Sequence, residues 1–409
     1  MRISSSTMFS MGLATIQQQY GDLQTLQQEV GTSRSFLTPA DNPSGAASVL
    51  QLTQIQSTNA QYTTNGKNAT SALSLQDTVL EQTGNLIQSI HDIAVQAANG
   101  ATMNNSDRAS MATTLKADYS QLLALSNSTD SNGQYIFSGF QGNNPPFSQG
   151  APTATNPSGV TYNGDQGQRL MQVSSSALVP VSTSGANIFQ LIKNGNGIVT
   201  SSATAGNTGS GTVGNASVNS PATWAANAQT FTITFDALTP QGYTITPPPT
   251  TTPATGVYKE GAAINIDGAQ MSISGTPGAN DSFTLAPSSN QSIFDTVQNM
   301  ITSLDTPVVG AVGKANLSNS MSAALNNLNM GLNSVLTARA VVGSAINEVA
   351  AQAGTNASMD LQNSKKLSTL QDVDLAKVLS SITQETASLT AAQKSFVLIQ
   401  GLSLFTYVQ

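Results

Sequence analysis

Cysteine is absent from this 409-residue chain, and histidine and tryptophan occur once each, at His91 and Trp224. The first absence removes disulfide frameworks, thiolate metal sites and cysteine nucleophiles together. A single histidine without cysteine cannot assemble the usual zinc set, and it offers acid–base catalysis little material. Charge is scarce too: Asp, Glu, Lys and Arg make up 9% of the residues, against roughly 25% in an ordinary soluble protein. Ser, Thr, Asn, Gln, Ala and Gly fill the deficit, a surface suited to close packing against copies of itself. The formal net charge of -7 carries no basic stripe, so neither nucleic acid nor an anionic membrane is an expected partner. No apolar run approaches the ~18 residues of a membrane span, and residues 1–20 contain no uninterrupted apolar secretory core. Export, if it occurs, is expected to follow another route.

What is present is periodicity. Phe9, Leu13, Ile16, Tyr20, Leu23, Gln27 and Val30 are spaced alternately by four and three residues, a heptad seam on one helix. Asn42 is placed to cap a second helix with Pro43 at its first position, running to about Tyr62. Further helical patterns run through Ala72 to Ala97 and Arg108 to Leu125, joined by the Asn/Gly/Ser loop near residues 99–106. From Gly133 to about Asn290 the character changes to short β-branched and aromatic runs cut by Gly, Pro and Asn. Tyr135–Phe137, Gly159–Tyr162, Phe231–Phe235, Ile264–Ile266 and Met271–Ile273 read as strands. Thr200–Pro221 and the Pro/Thr run Pro247–Pro253 read as surface loops. Helical spacing returns at Ile293–Leu304 and continues from Leu317 to Val349. A last heptad stretch carries Leu375, Val378, Ile382, Leu389, Ala392, Phe396 and Ile399. The expected fold is therefore α+β and multidomain, with helices at both ends pairing around an all-β insert.

Several patterns invite a chemical reading and are better explained without one. Gly209-Ser210-Gly211-Thr212-Val213-Gly214 matches G-x-G-x-x-G, but no apolar strand precedes it, and Pro221 stands where a helix should be under way. Asp372 and Asp374 have neither the glycine nor the closing glutamate of a calcium loop, and are read as helix N-terminal acids. Trp224 and Tyr243 are expected to plug a small β core rather than form a sugar platform. Arg339 falls on an apolar seam and needs a carboxylate such as Asp77 or Glu81. No catalytic residue, cofactor site or metal site is assigned, and an enzyme is not expected.

The blocks Arg2-Ile3-Ser4 and Thr38-Pro39-Ala40-Asp41-Asn42-Pro43-Ser44-Gly45-Ala46-Ala47 resemble the hook-associated protein 3 family, relatives of flagellin. So do Gly133–Gly139 with Pro146-Phe147, Tyr162–Asp165, Ile266–Gly268 with Asp281–Phe283, and most closely Ala391–Phe396 with Gln400–Phe405. Flagellin itself is the runner-up: its usual Lys-Asp-Asp-Ala-Ala-like block is replaced here by Ala40-Asp41-Asn42-Pro43. The resemblance implies a flagellin-like arrangement: a terminal helical assembly domain (1–42 with 358–409), a helical-bundle domain (43–148 with 291–357) and a β-rich inserted domain (149–290). It also implies a junction between hook and filament of the bacterial flagellum, built as a homo-oligomeric ring on hook-associated protein 1 and offering flagellin its starting surface. Export through the flagellar type III-like channel, with a cytoplasmic chaperone on the C-terminal helix, would make the protein secreted and extracellular. The assembly seam is then expected to be Phe9, Leu13, Ile16, Tyr20, Leu23, Val30, Leu375, Val378, Ile382, Leu389, Phe396 and Ile399. An adhesin function located in the β insert is the remaining alternative.

Overall fold

The computed structural model describes residues 5–99, 103–238 and 241–401. It divides into two compact units, one formed by residues 1–64 with 352–409 and the other by 65–351. The boundary falls inside two long helices, α2 (Pro43–Ala98) and α6 (Gly310–Gln371).

In the first unit, α1 (Ser5–Thr32) runs antiparallel to α7 (Leu375–Gly401), and the outer end of α2 runs antiparallel to that of α6. Asn59 Nδ2 donates to the Asn356 carbonyl at 2.8 Å from a buried position, and Gln56 Nε2 donates to Ser364 Oγ at 3.0 Å. The start of α2 follows from its sequence: Asn42 Oδ1 accepts the Gly45 amide at 2.8 Å, and Pro43 sits where a missing N–H costs nothing. With no further proline, the helix continues through the polar stretch 63–71 instead of ending near Tyr62.

In the second unit α3 (Asn105–Ser126) opens with a reciprocal cap, Asp107 N donating to Asn104 Oδ1 at 2.9 Å and Asn104 N to Asp107 Oδ2 at 3.3 Å. It packs on α5 (Ile293–Asp305), whose Ile293, Phe294, Val297, Met300, Ile301 and Leu304 are all buried at helical spacing. The core spreads from there over α2 and α6, and an aromatic group closes it. Phe147 lies 5.4 Å from Phe189 and 5.3 Å from Phe294, and Phe137 lies 5.5 Å from Phe189.

The strands are β1 (Phe147–Gln149), β2 (Val160–Tyr162), β3 (Leu170–Gln172), β4 (Leu178–Pro180), β5 (Ile192–Lys193), β6 (Val199–Ala203), β7 (Thr212–Val213), β8 (Ser217–Val218), β9 (Phe231–Phe235), β10 (Gly242–Thr246), β11 (Thr255–Val257), β12 (Ala263–Ile266), β13 (Ala269–Ser274), β14 (Ser282–Pro287) and β15 (Asn290–Gln291). A short helix, α4 (Pro221–Asn227), follows β8. An antiparallel sheet of order β11-β10-β9-β14-β6 and a smaller one of order β12-β13-β7, with β8 also on β13, share a second core. Strict alternation in Phe231, Ile233 and Phe235 puts these three side chains inside and the intervening threonines outward.

Two further expectations change. Thr200–Pro221 is no plain surface loop: its first residues form the edge strand β6, paired with β14 from Val199↔Pro287 to Ala203↔Phe283, and β7 and β8 follow. The hydroxyl-rich sequence satisfies the solvent side of an edge strand, while Val199 and Val213 are buried and supply the apolar side. Tyr135–Phe137 forms no strand, only a single bridge from Tyr135 to Thr129, because Ile136 and Phe137 turn inward to the core.

Candidate assembly surface

The terminal helices meet along a seam of complementary heptads. On α1 the positions turned toward α7 are Gly12, Ile16, Gln19, Leu23, Leu26 and Val30; on α7 they are Val378, Ile382, Glu385, Leu389, Ala392 and Phe396. Both sets step four, three, four, three, four, the spacing that keeps one side of a helix facing its partner. Val378 and Leu389 are the best covered, at 8% and 7% exposure. The Phe9 and Phe396 rings lie 5.0 Å apart, and the absent side chain of Gly12 admits Phe396, whose ring stands 3.0 Å from where a Cβ would be.

The open end of this pair is closed by backbone. Ser35 N donates to the Gln371 carbonyl at 2.8 Å, Val373 N to the Ser33 carbonyl at 3.2 Å, and Ser35 Oγ to the Leu370 carbonyl at 2.9 Å. Ser33 reaches this clasp with a left-handed φ of 55°. Asp374 Oδ1 then accepts the amides of Ala376 and Lys377, starting α7 as an N-terminal acid. Asp41 accepts the amides of Thr38 at 2.7 Å and Leu37 at 3.0 Å, which hold its carboxyl below the usual 3.8 and shape the turn into α2.

The sequence-derived seam residues therefore divide between two faces. Ile16, Leu23 and Val30 on α1, and Val378, Ile382, Leu389 and Phe396 on α7, come together. Leu13, Tyr20 (62% exposed) and Leu375 face away, and Phe9 touches Phe396 with much of its ring open. The Ile399 side chain, and the motif residues Arg2–Ser4 and Leu402–Phe405, lie outside the described residues. A search for apolar spacing passes over Gly12, Gln19 and Glu385; only their place in the same heptad as Ile16 and Leu389 marks them. Met8 and Met11 on α1 and Leu379, Val397 and Leu398 on α7 are exposed as well, distributed over more than one side of each helix. The two helices thus leave many large apolar side chains exposed among the described residues, the mark of an interaction surface.

The other candidates settle into structural roles. Arg339 Nε donates to Asp77 Oδ1 at 2.9 Å and its Nη2 to Glu81 Oε2 at 3.0 Å, and these contacts raise its pKa further. Trp224 is buried beside Phe231, and Tyr243 lies half-buried 6.2 Å from Phe235. Of the glycine-rich run, the Gly209 amide donates at 2.9 Å to Asp281, which also accepts from Thr208 and Gly278. Its polar donors are thus turned on the chain's own carboxylate. His91 Nδ1 lies 3.7 Å from Asp92 on the surface of α2. Among the described residues no three His, Cys, Asp or Glu side chains converge as for a metal, and no helix is long and apolar enough to cross a membrane.

Antiparallel terminal helices with a β insert between them define the class: a flagellin-type chain. Residues 3–142 match the family model described as the bacterial flagellin N-terminal helical region. The chain is 28% identical over 406 residues to flagellar hook-associated protein 3 of Salmonella typhimurium, with 99% of each chain covered. Among solved structures, hook-associated protein-3 from Legionella pneumophila is 30% identical at a TM-score of 0.72, covering 79% of this chain and 98% of that one. The FlgL of Xanthomonas campestris is 28% identical at a TM-score of 0.69, covering 77% and 99%. The chain belongs to the flagellar hook-associated protein 3 family.

Proposed function

We propose that this protein is a structural subunit of the bacterial flagellum, part of the extracellular junction between hook and filament. The observation that carries the reading is the paired α1–α7 element with its exposed apolar side chains, in a chain whose relatives are named flagellar hook-associated proteins and, for one from Legionella pneumophila, a flagellar junction protein. A helix pair with one covered seam and large apolar side chains left exposed gains by burying them against neighbours. The subunits are read as forming a ring, seated on hook-associated protein 1 and receiving flagellin on the opposite side. A cytoplasmic export chaperone would shield the C-terminal helix before secretion.

In this reading the terminal stretches 1–42 and 358–409 serve assembly, 43–148 with 291–357 brace them, and the 149–290 insert interrupts the brace. The work is done by packing, with no chemical step and no cofactor. The test is deletion of the gene and complementation. Loss of the protein should leave hooks without filaments and release flagellin to the medium, and the unaltered chain supplied in trans should restore filaments. Filaments that grow normally in the deletion strain would defeat the assignment.

A further inference from the structure

The most unusual charge in the second unit is Arg108, in the first turn of α3. Its residue is 4% exposed, yet among the described residues no carboxylate lies within salt-bridge distance of the guanidinium. Its Nη1 donates to the Met103 carbonyl at 2.8 Å and its Nη2 to Asn105 Oδ1, both neutral acceptors, while the buried Nε has no acceptor among the described residues. Buried cations are normally paired, because a neutral carbonyl replaces only part of the hydration that burial removes.

Arg108 lines a cavity of about 330 Å³, together with Ser210 and Thr212 from the segment before and in β7 and Ala311 and Lys314 from the first turns of α6. Among the described residues no acidic one lines it, in a chain whose acids outnumber its bases 21 to 14. The first turn of α6 adds the positive end of a 62-residue helix. Hydroxyl donors, a buried guanidinium with no carboxylate partner and a rim lysine form the set that recognises oxyanions, and the volume is ample for one with some of its water.

We propose that this cavity is an oxyanion site, in which the Arg108 guanidinium, uncompensated by a carboxylate, supplies the charge that holds the ligand. The ligand class is a phosphate-type tetrahedral ion or a carboxylate. The test uses the full-length chain labelled with ¹⁵N-arginine in a buffer free of both anions. Inorganic phosphate and, separately, acetate are titrated at ionic strength held constant with chloride, and the Arg108 Nε–H signal is followed. A saturable shift is expected. Saturation by phosphate alone assigns the site to tetrahedral ions, while saturation by acetate as well assigns it to carboxylates, such as an acidic side chain could supply.

Calorimetric titration of Arg108→Gln should show binding weakened about tenfold or more, the worth of one charge-assisted bond. Should that variant fail to fold, Ala311→Glu changes only an exposed rim position. Its tethered carboxylate should compete for Arg108, suppress anion binding and raise the melting temperature. The proposal is overturned if neither anion gives a saturable shift beyond the chloride control. It is equally overturned if a folded Arg108→Gln or Ala311→Glu chain binds as tightly as the unaltered protein.

Discussion

The two faces of the terminal helix pair should respond in opposite ways to the same insult, and a matched pair of substitutions separates them. Leu389 sits in the α1–α7 seam at 7% exposure, whereas Tyr20 stands 62% exposed on the outward face. Replacing Leu389 by Asp forfeits the burial of a leucine, about 2–3 kcal/mol, and sets a carboxylate among apolar neighbours, adding about 1–3 kcal/mol. The seam has little reserve, because Val378 is the other α7 residue it covers equally well. The loss of about 3–6 kcal/mol should therefore part α1 from α7. These helices carry 28 and 27 residues, so roughly a quarter of the far-ultraviolet helical signal should disappear at room temperature. The thermal transition of the second unit, with its own two cores, should stay in place. Tyr20→Asp should leave both signal and transition intact while abolishing filament attachment in cells. Normal motility of the Tyr20→Asp strain would refute the assembly role of the outward face. A Leu389→Asp monomer that keeps its full helical signal would show that the seam is not what holds these helices together.

Amide exchange on the purified monomer should be fastest in α1 and α7 and slowest in α3 and α5, and uniform protection across all four would contradict the thin seam described above. Arg339→Met should cost about 1 kcal/mol, as expected for a partly exposed pair of contacts to Asp77 and Glu81; the difference from the unaltered chain should shrink in high salt, as a pair of denaturation curves would show. Asp281→Ala strands the amides of Thr208, Gly209 and Gly278 and should cost the β core about 2–4 kcal/mol in denaturant unfolding. Burial pushes the Asp281 carboxyl up, but the hydrogen bonds from Thr208, Gly278 and Gly209 outweigh it and hold the group below its usual 3.8. Its folded value being the lower, the Asp281 contribution is complete above pH 3.8 and is lost as pH falls through the folded value, so acid melting curves of Asp281→Ala and the parent should converge there. Gly159→Ala places a Cβ 2.3 Å from the Gly150 carbonyl at a φ of +68°, and should lower the melting temperature by several degrees, about 1–3 kcal/mol of strain.

Much of this protein is legible from local spacing, because a heptad stripe, a capping asparagine or a Phe-x-Ile-x-Phe strand encodes its own geometry within a few residues. The start of α2 at Pro43 and the strand Phe231–Phe235 are of that kind, and so is the place of Arg339 on an apolar stripe, where its charge requires a partner. What spacing leaves open is which of two overlapping stripes on one helix meets its own chain. Phe9, Leu13, Ile16, Tyr20 and Leu23 satisfy one heptad, but Ile16 and Leu23 also belong to a second that includes Gly12 and Gln19. Only the approach of Phe396 over Gly12 chooses the second, a contact between residues almost four hundred positions apart. The same holds for the hydroxyl-rich run after Val199, polar enough to be a loop in isolation. It becomes an edge strand because β14 offers it an unpaired ladder. Arg108 reads as an ordinary amphipathic position until the fold wraps β7 and α6 around it and leaves its Nε without an acceptor. Local propensity and periodicity act through neighbours on the chain, whereas partner choice, edge pairing and the burial of a charge are set by segments that only the tertiary structure brings together.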